Sequence, residues 1–213
     1  WVFTSDHGDG QGSHYHWRKG YPYEFSAHVP MLLRWPTKTW PSSLPPISVP
    51  RGSVSGALVE MRDIAPTMLH AAGALPADAA QRMDGRSMLC LLLDHDGRGV
   101  QGCPEIWRTL LDLEHNICYN ESNHWNALVD TVDGTYKYIY GAQRGEEQLF
   151  DLTADPLETR NLAAMNAYSG KIRRLRGELA AQFEREARGP EWVSNGSLVA
   201  RPQGQLYSPH YPR

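Results

Sequence analysis

The spacing of apolar and polar residues along this chain predicts most of its elements. An apolar run, Trp1-Val2-Phe3, leads through Thr4 into Ser5-Asp6-His7-Gly8 and a loop with further glycines at 10 and 12. That pattern predicts a short strand delivering polar side chains at its carboxyl end. Residues 29–35 predict a second strand, and residues 36–55, with prolines at 36, 41, 45, 46 and 50, a surface loop. A helix is expected from Asp63 as N-cap, with Pro66 in its first turn and Gly73 past its end. A shorter one is expected over residues 87–93. From Trp125 the period shortens toward two. Residues 125–130, 136–140 and 147–152 predict three strands, parted by Asp133-Gly134 and Gln143-Arg144-Gly145, in antiparallel hairpins. Residues 171–188 then carry Ile172, Leu175, Leu179 and Phe183 at helical spacing, so the sheet acquires a helix to pack on. Residues 189–213, rich in proline and polar side chains, predict an irregular tail.

Composition narrows the class without naming it. The chain has 213 residues, 41% hydrophobic and 21% charged, with a net charge of −3, and its mean hydropathy is −0.51. This suits a folded globular chain. There is no basic surplus to suggest nucleic acid as a partner, and no apolar run long enough to span a membrane. The composition fixes no oligomeric state. The chain opens on Trp1, in mid-strand, which leads us to expect a piece of a longer protein.

Cys90, Cys103 and Cys118 share no CxxC or CxxH spacing, which argues against a structural zinc site. Three cysteines allow one disulfide and a thiol, or three thiols. Sequons at Asn120 and Asn195 hint at a secretory route. Asp94, His95 and Asp96 read as a solvated turn rather than a metal cluster.

The chemistry concentrates between residues 6 and 19, where Asp6, His7, Asp9, His14, His16, Arg18 and Lys19 occur together. A carboxylate beside an imidazole suits a divalent cation, because both offer lone pairs and the carboxylate offsets charge. A cationic side chain nearby suits an oxyanion substrate such as sulfate or phosphate. The rival reading is a polar loop with exposed histidines. The glycine spacing matches neither a dinucleotide fingerprint nor a Walker loop.

Ser5-Asp6-His7-Gly8, Gly12-x-His14, Trp17-x-Lys19 and Tyr23-Glu24-x-Ser26-x-x-Val29-Pro30 together resemble the sulfatase family. Further segments resemble it in the same order: Asp63-Ile64-Ala65-Pro66-Thr67, Asp84-Gly85-Arg86-Ser87, Tyr136-Lys137-Tyr138, and Gln148-Leu149-Phe150-Asp151 through Asp155-Pro156, Glu158 and Asn161-Leu162. The likeness runs from about residue 1 to residue 164.

The resemblance implies an α/β fold of alkaline-phosphatase type: a truncated mixed sheet with helices, plus a small C-terminal antiparallel sheet packed on a helix. Domains are expected at residues 1–104 (the back of the catalytic domain), 105–188 (the smaller α+β unit) and 189–213 (the tail). It further implies that Asp6 and His7 ligate a divalent cation, calcium in most relatives, and that Lys19 contacts the sulfate and its bridging oxygen. His14, which matches the family's histidine, is expected as loop structure or as a substrate contact, and His124 as a substrate contact. Tyr15 stands where the family commonly has glycine, and it and His16 are expected to shape the pocket. His28 is expected either to pack or to support a site residue from behind.

The family's nucleophile is a formylglycine made within a C/S-x-P-S/A-R motif. No such motif occurs in these residues, so the formylglycine is expected upstream of residue 1. The implied function is a sulfuric ester hydrolase acting on a small-molecule or glycan sulfate ester, with this piece inactive alone. Alternatives are a phosphonate monoester hydrolase or phosphodiesterase of the same superfamily, or a non-catalytic sulfatase-like remnant that binds sulfated glycan or protein.

Overall fold

The computed structural model describes residues 1–35, 51–92, 103–104, 106–116 and 124–202. The expected Asp94-His95-Asp96 turn, most of the proline-rich loop, Cys118 and Asn120 lie outside them. The described residues form two units. The first comprises residues 1–6 and 30–109, and the second residues 7–29 and 110–213.

In the first unit, β1 (Val2–Thr4) and β2 (Met31–Leu33) pair antiparallel, with Phe3 opposite Leu32. Helix α2 (Ile64–Ala71) follows a 3-10 turn at Met61–Asp63, the short α1 (Glu24–Ala27) belonging to the second unit. Asp63 stands at the N-cap position of the helix, as expected, but its side chain makes no cap bond to it; Glu60 is the N-cap of the preceding 3-10 turn. Glu60 and Asp63 form a reciprocal capping box, because Asp63 turns back to accept from the Glu60 backbone N–H at 2.9 Å. Gly73 follows the helix at φ 69°, as expected of a terminating glycine.

Asp63 does more than cap. Fully buried, its carboxylate takes a bidentate fork from Arg108 at 2.5 and 2.6 Å, and the Arg86 backbone N–H at 2.7 Å. Short helices α3 (Ala79–Arg82) and α4 (Leu89–Leu92) complete this unit. Buried His70 meets Ser87 Oγ at 2.9 Å. The family-like segments at 63–67 and 84–87 are therefore structural joints.

Cys90 and Cys103 form a disulfide across a separation of 13 residues, which decides the pairing left open by the cysteine count. Cross-links of that span stabilise by about 3 kcal/mol. Cys90→Ser with Cys103→Ser is expected to lower unfolding stability by that order, read as a reduced urea midpoint with a raised m-value, because the unfolded chain loses its cross-link and exposes more surface.

The second unit centres on an antiparallel sheet in the order β3 (Leu110–His115), β4 (Trp125–Asp130), β5 (Tyr136–Gly141) and β6 (Glu146–Asp151). Strand β3 was not expected. Its Leu-Leu-Asp-Leu-Glu-His pattern is partly polar because it pairs only with β4 within this sheet and is only partly buried. One face, with Leu128, Tyr138 and Leu149 in register, packs on α5 (Ser169–Arg185) through Ile172, Leu175, Leu179 and Phe183.

The other face carries Trp125, Ala127, Ile139 and Phe150, against which Tyr23 packs. Every residue of β4 is consequently buried. Within residues 189–202, which were expected to be irregular, β7 (Val193–Ser194) and β8 (Ser197–Leu198) form a hairpin. It turns at Asn195-Gly196, both at positive φ, the residue types such a turn favours. Val193 and Leu198 anchor it to the α5 core. Among the described residues no helix is long and apolar enough to cross a membrane.

Candidate active site

The loop at residues 7–20 is set by backbone contacts before any side chain contributes. The Gly8 N–H donates to Ser26 O at 2.9 Å, and a Cβ at Gly8 would stand 1.9 Å from Phe25 O. Only glycine allows that approach. Gly12 N–H and Gln11 N–H reach the carbonyls of His16 and Trp17, folding residues 11–17 into a tight hairpin. His14 and Tyr15 hold positive φ, 49° and 63°, which costs a residue with a side chain roughly 1–3 kcal/mol unless its surroundings fix it. They do so here. His14 donates from Nε2 to Leu157 O at 2.7 Å and stacks on Tyr23 at 4.3 Å, while His16 stacks on Tyr21 at 3.6 Å. Burial and then the neighbouring His14 lower the pKa of His16, favouring the neutral ring.

On this frame Lys19 Nζ lies 2.8 Å from His7 Nε2, and His7 Nδ1 lies 2.9 Å from Gly8 O. A carbonyl only accepts, so Nδ1 carries the proton and Nε2 turns its lone pair toward a cationic group. Asp6, which closes the opening segment of the first unit, is exposed and lies 3.5 Å from Ser5 Oγ. The donor types fit a divalent cation. Among the described residues, no three His, Cys, Asp or Glu side chains converge on one point.

Three further histidines have defined partners. His124 is buried, 4% exposed, and donates from Nε2 to Arg201 O at 2.7 Å, so it braces the tail instead of facing solvent. His14 spends its Nε2 on Leu157 and supports the loop. His28 is exposed and pairs with Glu24 at 2.7 Å.

The sequence reading missed a buried clamp behind the loop. Alternation along β5 puts Tyr138 on the helix side and Lys137 on the side that residues 7–29 cover, so a lysine is buried at 0% exposure. Its ammonium meets Glu24 at 2.6 Å, Glu158 at 2.9 Å and the Pro22 carbonyl at 3.0 Å. Glu158 also accepts the Glu24 backbone N–H at 2.6 Å. Trp125 Nε1–H donates to Gly20 O at 3.0 Å, and Tyr23 OH lies 3.2 Å from Gln148 Oε1. These bonds fix the chain immediately after Lys19. The signal was visible: lysine between two tyrosines in a strand, and glutamates within family-like segments.

Burial pushes the Glu24 carboxyl up, but hydrogen bonds and charge from His28 and Lys137 outweigh it and hold it at about 2. A depressed carboxyl contributes stability present above its unfolded value, about 4.3, and lost as pH falls through its folded value. The stability gap between the parent protein and Glu24→Gln is therefore expected to narrow from pH 5 to pH 2, measured by urea unfolding. A gap constant across that range excludes the assignment.

The family model for N-sulphoglucosamine sulphohydrolase, C-terminal, matches residues 12–185. The chain belongs to the sulfatase family. It is 34% identical over 188 residues to an arylsulfatase of Clostridium perfringens, covering 88% of this chain and 34% of that protein. The solved structure of BT4656, in complex with its substrate D-glucosamine-2-N,6-O-disulfate, superposes with a TM-score of 0.68 at 24% identity, covering 88% of this chain and 34% of that one. The phosphonate monoester hydrolase of Agrobacterium radiobacter superposes with a TM-score of 0.61 at 23% identity, over 94% of this chain and 38% of that one. The expected alkaline-phosphatase-like sulfatase fold is thus found. This sulfatase chain spans about a third of the length of these relatives.

Proposed function

We propose that the protein containing this chain is a sulfatase that hydrolyses a sulfuric ester to an alcohol and inorganic sulfate. The observation that carries this reading is Lys19 Nζ held 2.8 Å from His7 Nε2 on the loop that follows β1, in a chain of sulfatase family. In this reading Lys19 is catalytic. Its ammonium faces the sulfate and the bridging oxygen, where it stabilises negative charge growing on the departing alcohol. His7, with its proton on Nδ1, offers its Nε2 lone pair to that ammonium while no cation is bound; Asp6 and His7 would supply two ligands to a divalent cation, calcium by family likeness, His7 through the same Nε2 in place of Lys19. When bound, the cation would polarise the ester and a formylglycine upstream would supply the nucleophile. Without that nucleophile, residues 1–213 alone are inactive.

The Cys90–Cys103 disulfide supports an oxidising, extracytoplasmic setting. Asn195, exposed at the tip of the β7–β8 hairpin, is open to glycosylation.

The rival reading is phosphonate monoester hydrolysis, which the same fold carries in the Agrobacterium enzyme. The test uses the full-length protein with calcium and compares turnover of 4-nitrophenyl sulfate, D-glucosamine-2-N,6-O-disulfate and 4-nitrophenyl phenylphosphonate. Faster sulfate release is expected. A dominant phosphonate rate, or a full-length sequence without a C/S-x-P-S/A-R motif, overturns the proposal.

A further inference from the structure

Residues 151–162 leave β6 and return to it as a closed loop. Asp155 N–H donates to Asp151 O at 2.7 Å, and Glu158 N–H closes on Asp155 O at 3.0 Å. The Asp155 carboxylate accepts from Thr159 Oγ1 at 3.0 Å and from Arg160 N–H at 2.8 Å. At the far end Asn161 Oδ1 accepts Leu149 N–H at 3.0 Å, and Leu162 N–H donates to Leu149 O at 2.8 Å. The loop is therefore rigid and tied to the sheet. Two of its adjacent residues reach the segment that carries Lys19. Leu157 O accepts from His14 Nε2 at 2.7 Å. The Glu158 carboxylate takes the Glu24 N–H at 2.6 Å with one oxygen and Lys137 at 2.9 Å with the other. His14 stands five residues before Lys19 and Glu24 five residues after it, so Lys19 lies midway between the two holds.

Packing does not account for this joint. Leu157 contributes its carbonyl, while its side chain is 73% exposed. The backbone is also strained on both sides. Of the six residues other than glycine at positive φ among the described residues, four (Gln11, His14, Tyr15 and Glu158) stand in the two loops that meet here. Such strain persists only where the surroundings fix it, and it clusters at functional sites.

We propose that residues 155–161 are a positioning element for catalysis, holding the Lys19 loop at His14 and Glu24 and so setting where the Lys19 ammonium stands. This rests on the sulfatase reading and adds to it the residues that act through Lys19. An ammonium that stabilises growing charge must be in place before the reaction, and a misplacement of about 1 Å can cost a hundredfold in rate. His14 and Glu158 are accordingly positioning residues, with their effect on kcat more than on KM.

The test uses the full-length protein with calcium and 4-nitrophenyl sulfate. His14→Phe keeps a ring to stack on Tyr23 and loses the donor to Leu157, while Glu158→Gln keeps the shape and loses the charge beside Lys137. Each is expected to lower kcat about tenfold to a hundredfold, with KM changed by less than about threefold. In a Lys19→Ala background neither should lower the rate further, because a residue that acts through Lys19 then has nothing to position. Losses that multiply instead mark a merely structural role and overturn the proposal. Hydrogen exchange reads the same joint without turnover. In His14→Phe the amides of residues 8–17 are expected to exchange about tenfold faster, with those of β4 and β5 unchanged. Unchanged exchange at residues 8–17 overturns the proposal whatever the activity. Should Glu158→Gln fail to fold, His14→Phe decides alone, since it leaves Lys137 and its carboxylates in place. If the wild-type protein hydrolyses no sulfate, faster exchange in His14→Phe keeps the hold on the loop while the sulfatase reading falls.

Discussion

Lys19→Ala in the full-length protein is expected to lower kcat by a factor of about 100 to 1,000, the usual consequence of removing one donor to a developing oxyanion. Lys19 is exposed and its ammonium meets His7, so unfolding stability should change by no more than about 0.5 kcal/mol. That separation is what makes the measurement decisive. Lys19→Arg keeps the charge but replaces a compact ammonium with a broad planar fork, so it should recover only a small part of the rate. Single-turnover release of sulfate reads the chemical step without product release. A Lys19→Ala enzyme that keeps the parent rate removes Lys19 from the mechanism.

The second large effect is on folding. Lys137→Met is expected to cost about 3–5 kcal/mol, because it leaves the buried Glu158 and the partly buried Glu24 without their shared cation. Glu24 and Glu158 meet Lys137 at 2.6 and 2.9 Å. Without Lys137 the two carboxylates repel one another, and at least one takes up a proton. The deficit should therefore be largest near neutral pH and shrink as acid protonates the pair. Burial already pushes the Glu158 carboxyl up even with Lys137 present, so it is the group expected to protonate first. Urea titration at pH 7 and pH 4 measures both points. Replacing all three residues together, Glu24→Gln, Glu158→Gln and Lys137→Met, should restore more stability than the single change leaves. A Lys137→Met protein as stable as its parent would show that the clamp does not hold the loop.

The histidines show where reading along the chain stops. Seven residues with metal- or anion-binding chemistry fall between positions 6 and 19, and sequence alone treats them as one cluster. Folding sorts them. His14 and His16 turn into ring stacks and carbonyl contacts, while His7 and Lys19 meet each other. The difference lies in the glycine-controlled hairpin at residues 11–17, whose positive φ values no periodicity encodes. His124 shows the same sorting. A polar aromatic beside a tryptophan looks like surface chemistry, but it sits under Arg201 from a tail that had shown no pattern.

What the sequence determined by itself was the order of most of the elements, three strands of the period-two sheet with its amphipathic helix, and membership of the sulfatase family. These properties are local or cumulative: apolar spacing is fixed by 2.0 and 3.6 residues per repeat, and an ordered run of motifs is already a one-dimensional record. Tertiary structure decided which charged residues were chemistry and which were scaffold. Asp63 and Lys137 stand in family-like segments whose spacing does not show how deeply their charges are buried. Burial makes each a structural ion, since a charge taken out of water persists only where opposite charge and hydrogen bonds surround it. Lys19 remained in solvent beside His7, and that exposure separates the residue proposed for catalysis from the lysine that holds its loop.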